Sequence, residues 1–224
     1  MIIETERLTL NTWTPTERDP FIAMCADPEV MHDYGGPWDR ARAIARFDRL
    51  LSTSERGNID KLAIRRKDDA AFLGWCGVSQ IWPTLTLAPG LEVGWRLARW
   101  AWGAGYATEA ARAALAEAFN RTDAPEVFSF TSPSNKRSLA VMGHLGLCRD
   151  ERRDFTYEDG NPAVVFVALR EQFGPGHAAW ATFRDDSRGL GGPTPPRSEP
   201  APTPLQPQTP SGPGVRGSSH QLAP

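Results

Sequence analysis

Over residues 1 to 173 the apolar positions switch repeatedly between a spacing of two and a spacing of three or four, the periods of strand and helix. Ile3 to Trp13, with Leu8 and Leu10 in alternation, predicts one strand. A helix follows from Thr14-Pro15 and carries Phe21, Ile22, Met24 and Cys25 until Asp27-Pro28-Glu29 interrupts it. Ile44, Phe47, Leu50 and Leu51 predict a second helix within Trp38 to Arg56. Leu62 to Arg65 and Phe72 to Ile81 read as a hairpin joined by Lys67-Asp68-Asp69, with Pro83 to Pro89 as a loop. Leu91 to Leu97 is then a strand, Gly105 to Asn120 a helix, Glu126 to Thr131 a strand and Asn135 to Leu145 a helix. Strands near Leu147 to Tyr157 and Ala163 to Arg170 close the series, and the interleaving predicts an α/β domain with helices packed on a mixed sheet.

Composition changes abruptly after Phe173. Residues 174–224 hold 11 of the 20 prolines, in spaced runs such as Pro200-Ala201-Pro202-Thr203-Pro204. Such a segment cannot bury enough apolar area to offset an ordering cost of about 1 to 2 kcal/mol per residue, so it is expected to be a mostly disordered tail. Trp180 and Phe183 leave room for a short helical extension over His177 to Phe183. A domain over 1–173 plus this tail is the economical division of 224 residues.

The formal charge of -2 supplies no basic footprint, which disfavours a nucleic-acid partner. Glu4 and Glu6 near the start do not make a secretory leader, and no run approaches the roughly 18 apolar residues that span a bilayer, so a soluble, cytoplasmic protein without a membrane partner is expected. Cys25, Cys76 and Cys148 are scattered and odd in number, which predicts three buried thiols and not a disulfide framework. The four histidines form no spaced ligand set, so no metal is expected.

Candidate chemistry gathers between Leu91 and Arg112. A strand, a short loop and a glycine-bearing helix start follow one another, with Gly103, Gly105 and the small Ala107 letting a ligand approach the first helical turn. Unpaired amides there, at the positive end of the helix dipole, suit a pyrophosphate. Tyr106, Ala107, Ala110, Ala111, Ala114, Leu115, Ala118 and Phe119 form the apolar stripe behind it, while Glu109, Arg112 and Glu117 point elsewhere. A P-loop would need a Gly-Lys-Ser/Thr ending, which is absent. A Rossmann turn would need a small residue at Thr108 and an acid closing the next strand, which ends Phe130-Thr131-Ser132.

Glu92-Val93-Gly94-Trp95-Arg96-Leu97, followed by Trp102-Gly103-Ala104-Gly105-Tyr106-Ala107-Thr108-Glu109-Ala110, resembles the acyl-CoA signature of GNAT-superfamily N-acetyltransferases of the ribosomal-protein (RimJ/RimL-like) branch. The Gln/Arg-x-x-Gly-x-Gly/Ala pattern falls on Trp102 to Ala107, with Trp102 replacing the polar first position. Glu4-Thr5-Glu6-Arg7-Leu8, Asn135-x-x-Ser138 with Val141-Met142-x-x-Leu145-Gly146-Leu147, and Val167 to Glu171 are similar to the branch's opening strand, later helix and closing strand. The resemblance implies a mixed, mostly antiparallel sheet, splayed between its fourth and fifth strands, with helices on both faces. It also implies acetyl-CoA as co-substrate and an amine acceptor, a protein amino terminus or a small molecule such as an antibiotic or polyamine. A non-catalytic CoA-binding module stays open as an alternative, as does a homodimer.

By the same resemblance CoA would contact Val93, Gly94, Trp95, Gly103, Ala104, Gly105, Tyr106, Ala107, Thr108, Asn135 and Ser138. A backbone amide near Val93 or Gly94 would polarise the thioester, and Ser138 would return a proton to the thiolate. Glu92, on the strand that should line the cleft between apolar Leu91 and Val93, is the candidate general base; an ion pair with Arg96 four positions on is the bland alternative. Asn135 reads equally as a helix cap. His32, Tyr34, Tyr157 and Glu158 lie near the expected acceptor side, the last two before an Asp159-Gly160-Asn161 turn, and carry no assigned role.

Overall fold

In the computed structural model, which describes residues 1–55, 60–81, 87 and 89–173, the amino-terminal alternation forms two short strands where the pattern predicts one. β1 (Ile2–Glu4) and β2 (Leu8–Asn11) pair antiparallel, with Ile3 opposite Leu10. Thr5 makes the reversal: its amide donates to the Leu8 carbonyl at 2.9 Å, and its hydroxyl accepts from the Leu8 amide at 2.9 Å. Folding back keeps Ile3, Leu8 and Leu10 in the core, which a single extended strand of this length could not.

The helix predicted from Thr14 starts as a 3-10 turn over Pro15–Glu17 and continues as α1 (Arg18–Cys25). Thr14 and Glu17 form a capping box, the Thr14 amide and hydroxyl donating to Glu17 Oε2 at 2.8 and 2.7 Å. α2 (Arg40–Glu55) begins two residues inside the predicted span, because Asp39 accepts from the Arg42 amide at 2.7 Å and caps it. Both helices bury their apolar faces on Trp13, whose ring meets Phe21 and Phe47 edge-on at 5.4 and 5.7 Å.

Next come β3 (Lys61–Arg66), β4 (Phe72–Gln80), β5 (Leu91–Leu97), α3 (Tyr106–Arg121), β6 (Glu126–Thr131) and α4 (Lys136–Leu145). β7 (Cys148–Arg149), β8 (Phe155–Thr156), β9 (Pro162–Leu169) and α5 (Arg170–Phe173) complete the series. The sheet runs β1-β2-β3-β4-β5-β6-β9-β7, with β8 on β9. Every pairing is antiparallel except β5 with β6, whose parallel direction requires the crossover that α3 supplies. Strand alternation sorts the two faces: Leu62 and Ile64 pack with α3 and α4, while Ala63 packs with α1 and α2. Helices therefore cover both faces, as expected.

Two expectations are corrected at the carboxyl side. The strand predicted over Leu147 to Tyr157 is broken into β7, a 3-10 turn at Glu151–Arg153, and β8. Its polar middle captures backbone groups instead of alternating: Asp150 accepts from the Arg152 amide at 3.2 Å and Asp154 from the Val165 amide at 3.0 Å. Cys148 on β7 is exposed, so only Cys25 and Cys76 are buried thiols. The hairpin at Asp159-Gly160 is as expected, the Tyr157 amide donating to Asn161 O at 2.9 Å. Arg170, read as the end of a strand, caps α3 from outside, donating to Phe119 O and Ala124 O at 2.8 and 3.0 Å.

Among the described residues no helix is long and apolar enough to cross a membrane. The tail over 174–224, its 177–183 extension, and most of the loop expected over 83–89 lie outside the described residues.

Glu17 is 1% exposed and receives Arg65 Nε at 2.8 Å. Burial pushes its carboxyl up, but bonds from Thr14 and Arg65 and the Arg65 charge outweigh it and hold the group below the ordinary 4.5. A carboxyl lowered in the folded state stabilises fully above its unfolded value and loses that contribution as pH falls through the folded one. Glu17→Gln should therefore cost about 2 kcal/mol at pH 7, by the worth of charged hydrogen bonds. The gap to wild type should narrow as pH drops below 4.5, which urea unfolding at pH 7 and at acid pH would measure.

Candidate functional site

β5 leads through a 3-10 turn at Arg99–Ala101 into Trp102, Gly103, Ala104 and Gly105, where α3 begins. Gly103 and Gly105 have φ of 78° and 82°, a left-handed backbone that side chains resist. Gly105 is the cap residue of α3 and brings no side-chain bond to the first helical turn. The leading amides of this helix are thus left to an outside acceptor. The turn opens into a cavity of about 330 Å³ that gathers Gly103, Gly105, Tyr106, Ala107 and Thr108 with Trp95, Asn135 and Ser138. All are residues that the sequence singled out for CoA; Ala104 contributes its carbonyl behind the turn, Val93 is fully buried, and neither Val93 nor Gly94 lines this cavity.

What holds this turn was missed in the sequence. Glu109, expected to point away, reaches back to the β1–β2 turn. It accepts from Thr5 Oγ1 at 2.5 Å, the Arg7 amide at 2.9 Å and Arg7 Nε at 2.7 Å. Arg7 also donates to Ala104 O at 3.0 Å and lies over the Tyr106 ring at 4.7 Å. Burial pushes the Glu109 carboxyl up, yet these bonds and the Arg7 charge hold it below its ordinary 4.5. The only available signal was the Thr5-Glu6-Arg7 motif, whose partner lies about a hundred positions away.

Beside the turn the sheet forks. β5 and β6 share one register pair, Glu92 with Phe128. Just above it, Ser129 Oγ, buried, donates to Val93 O at 3.1 Å. Alternation decides which amides face the fork. Ala98 N donates to Leu73 O and Ile81 N to Gly90 O across an unshifted β4–β5 register, so even-numbered backbone groups of β5 face β4. Val93 O and Leu97 O accept from Ser129 and from Trp102 Nε1 (2.8 Å), so odd-numbered groups face the fork. Gly94 opposes Gly77 and is turned inward. The amide at the open edge beyond Val93 is that of Trp95, a refinement of the Val93-or-Gly94 expectation.

Across the fork Asn135 caps α4, its side-chain oxygen accepting from the Ser138 amide at 3.1 Å. Its Nδ2 donates to Thr131 Oγ1 at 3.0 Å and to Asp33. The cap reading holds, and the side chain also ties β6 to the His32–Tyr34 turn. Trp102, standing where the motif carries Gln or Arg, has two guanidiniums on its ring: Arg99 at 4.8 Å and Arg137 at 4.1 Å.

On the α2 face, Glu92 is 18% exposed and pairs with Lys61, not Arg96, at 3.7 Å. Residues four apart on a strand stand about 13 Å apart, too far for the expected pair. Arg96 instead donates to Val30 O and lies 4.1 Å over the Tyr34 ring. Leu91 and Val93 are buried in the cluster under α3, on the opposite face from Glu92, so they do not wrap its carboxylate. A Cβ on Gly94 would stand 3.0 Å from Glu92 Oε1 and 3.1 Å from Lys61 Nζ, so glycine there leaves room for the pair. Burial first, then Tyr34, Glu92, Asp159 and Asp33, push the Tyr157 phenol well above its ordinary 10, which keeps it a neutral hydrogen-bond donor on this side. His32 is exposed. Burial raises Cys25 to about 11 and Cys76 to about 12, so neither is a thiolate nucleophile near neutrality.

Residues 7–147 match the family model described as an acetyltransferase (GNAT) domain. The chain is 36% identical over 123 residues to the uncharacterized protein YkkB of Bacillus subtilis, covering 54% of this chain and 69% of that one. It is 29% identical over 171 residues to the FsC-acetyl coenzyme A-N(2)-transacetylase of Aspergillus fumigatus, covering 72% and 71%. A solved acetyltransferase from Agrobacterium tumefaciens superposes with a TM-score of 0.63 at 28% identity, over 75% of this chain and 94% of that one.

Arg7→Gln should loosen the 103–109 turn without unfolding the sheet. Amide hydrogen exchange across these residues should speed about tenfold, the equivalent of one charged hydrogen bond. Mass spectrometry of exchanged peptides checks this, with β3–β4 peptides as the unchanged reference.

Proposed function

We propose, on the ground that this chain belongs to the GNAT acetyltransferase family, that it moves an acetyl group from acetyl-CoA to a primary amine by direct attack in a ternary complex. The observation that carries the reading is one cavity holding both the uncapped start of α3 and the open edge of β5. Amides from Gly103 to Thr108 seat the diphosphate, and Arg137 on Trp102 supplies a cation beside the motif's first position. Trp95 presents its amide to the thioester carbonyl and stabilises the oxyanion as the amine attacks. The carbon–sulfur bond then breaks, Ser138 gives its proton to the thiolate, and the proton shed by the acylated nitrogen as the amide forms restores the hydroxyl.

Glu92 stands on the opposite face of β5 from the apolar core and takes the ammonium proton before attack. Lys61 keeps it oriented. A lysine-like amine near pKa 10.4 costs roughly 4 kcal/mol to deprotonate near pH 7, an α-amine near 8 only about 1. The spacing of the Glu92 to Ala110 motif favours the RimJ/RimL-like branch, and with it a protein amino terminus as acceptor. Thiol release from acetyl-CoA across an acceptor panel tests the activity. CoA binding without acceptor-dependent thiol would instead identify a binding module.

Gly105→Asp should weaken CoA binding about a hundredfold, by placing bulk and negative charge beside the diphosphate seat; calorimetry with CoA reads it directly. Glu92→Gln should depress turnover more at neutral than at alkaline pH, where the acceptor is already deprotonated. A pH profile of kcat showing an equal loss at both ends removes Glu92 from the base role.

A further inference from the structure

We infer that the cleft on the α2 side of the fork selects an amine that also carries an anionic group, a carboxylate or phosphate set apart from the reacting nitrogen. The inference rests on the acetyl-transfer reading and names the acceptor chemistry of that same site.

The first observation is a row of cations. α2 carries Arg42, Arg46 and Arg49 at spacings of four and three, which puts all three on one helical face. That face lines a cleft of about 980 Å³ shared with Glu92, Lys61, Ser79 and Gln80. A charged helix face is ordinarily solvated and balanced. On this helix Arg40 and Asp48 are indeed paired, with Asp19 at 3.8 Å and Arg18 at 3.6 Å. Among the described residues, however, no carboxylate comes within 4 Å of Arg42, Arg46 or Arg49. The cleft's own acids do not balance them. Glu92 is engaged by Lys61 at 3.7 Å, and Asp60 accepts the Lys61 amide at 2.7 Å.

The second observation is independent of the first. At the inner end of the cleft, Tyr34, Trp38, Arg46 and Lys61 also line a small pocket of about 20 Å³ that includes Arg96. Trp38 Nε1 and Arg96 Nε are buried there, and neither has a hydrogen-bond partner among the described residues. Both are donors only, and buried donors are rarely left unpaired, so the group that completes this pocket is an acceptor, and the volume admits a single oxygen, that of one water or one oxygen of an anion. Arg42, stacked 4.6 Å over the Trp38 ring, holds a further guanidinium at the rim. Planar guanidiniums match carboxylate and phosphate oxygens in paired hydrogen bonds. A polycation such as a polyamine would meet three uncompensated positive charges here and be rejected.

Two sources share this chemistry, an acidic peptide amino terminus and a small amino acid, and the test separates them. The full chain loaded with CoA is titrated by calorimetry with the carboxyl-terminally amidated peptides Ser-Asp-Glu-Ala and Ser-Asn-Gln-Ala, with glutamate and glutamine, and with spermidine. Thiol release from acetyl-CoA is followed for the same set. At least one acidic probe should bind, or turn over in kcat/KM, about tenfold better than its amide counterpart. The responding pair identifies the source. Arg46→Gln, and Arg49→Gln on the exposed face, should each raise KM for that acidic probe several-fold, with kcat changing less. Their CoA affinity reports that the fold is intact. Equal affinity for acid and amide, a preference for spermidine, no binding of any probe, or equal losses for acid and amide in the variants would overturn the inference. If CoA fails to bind while an acidic probe binds, the acetyl-transfer reading falls and the anion site stands. If CoA binds and thiol is released with no preference for acids, the reverse holds.

Discussion

Two parallel strands that touch at one register pair and then part are the constraint on which the rest depends. Because β5 and β6 run the same way, a tight turn cannot join them, and α3 must cross over the sheet between. The crossover brings the start of α3 to the mouth of the fork, with its first-turn amides uncovered. Ser129, donating to Val93 O, marks the point where pairing ends. Above it the backbone edge of β5 has no strand opposite among the described residues, the place that the proposed mechanism gives to the extended ligand.

Such a fork is costly to maintain unless its rims are held. The α3 rim is held by Glu109 and the Thr5–Arg7 turn, the far rim by Asn135 through Thr131 and Asp33. Neither clamp touches the acyl group in the proposed mechanism. Both join segments distant in sequence, so the short β1–β2 hairpin at the sheet's edge supports a turn formed a hundred residues later.

The two faces of β5 divide the labour. Residues 91, 93 and 97 enter the core under α3, while Glu92 and Arg96 face α1, α2 and the cleft. The proposed base and the proposed anion site thus belong to one surface, and the proposed CoA cradle lies beyond the edge of the strand. The pairing of Glu92 with Lys61 on β3 makes that division workable, since it leaves Arg42, Arg46 and Arg49 of α2 unpaired with any carboxylate among the described residues.

Much of the fold was legible because it is written in short periods. The 3.6-residue stripe of α3, the alternation of β3 to β6 and the glycines of the 103–105 turn are local, and each formed where its pattern predicted. The errors fell where polar side chains capture the backbone: Thr5 turning one strand into two, and Asp150 and Asp154 breaking another. Partner choice was not legible at all. The sequence by itself determined most of the elements and the glycine turn at 103–105, because these depend on neighbours within a few residues. Only the tertiary structure decided that Glu92 meets Lys61 and not Arg96, that Glu109 turns inward to Arg7, and that Trp95 faces the fork. Those outcomes follow from strand register and helix crossover, which bring together side chains that no local spacing relates.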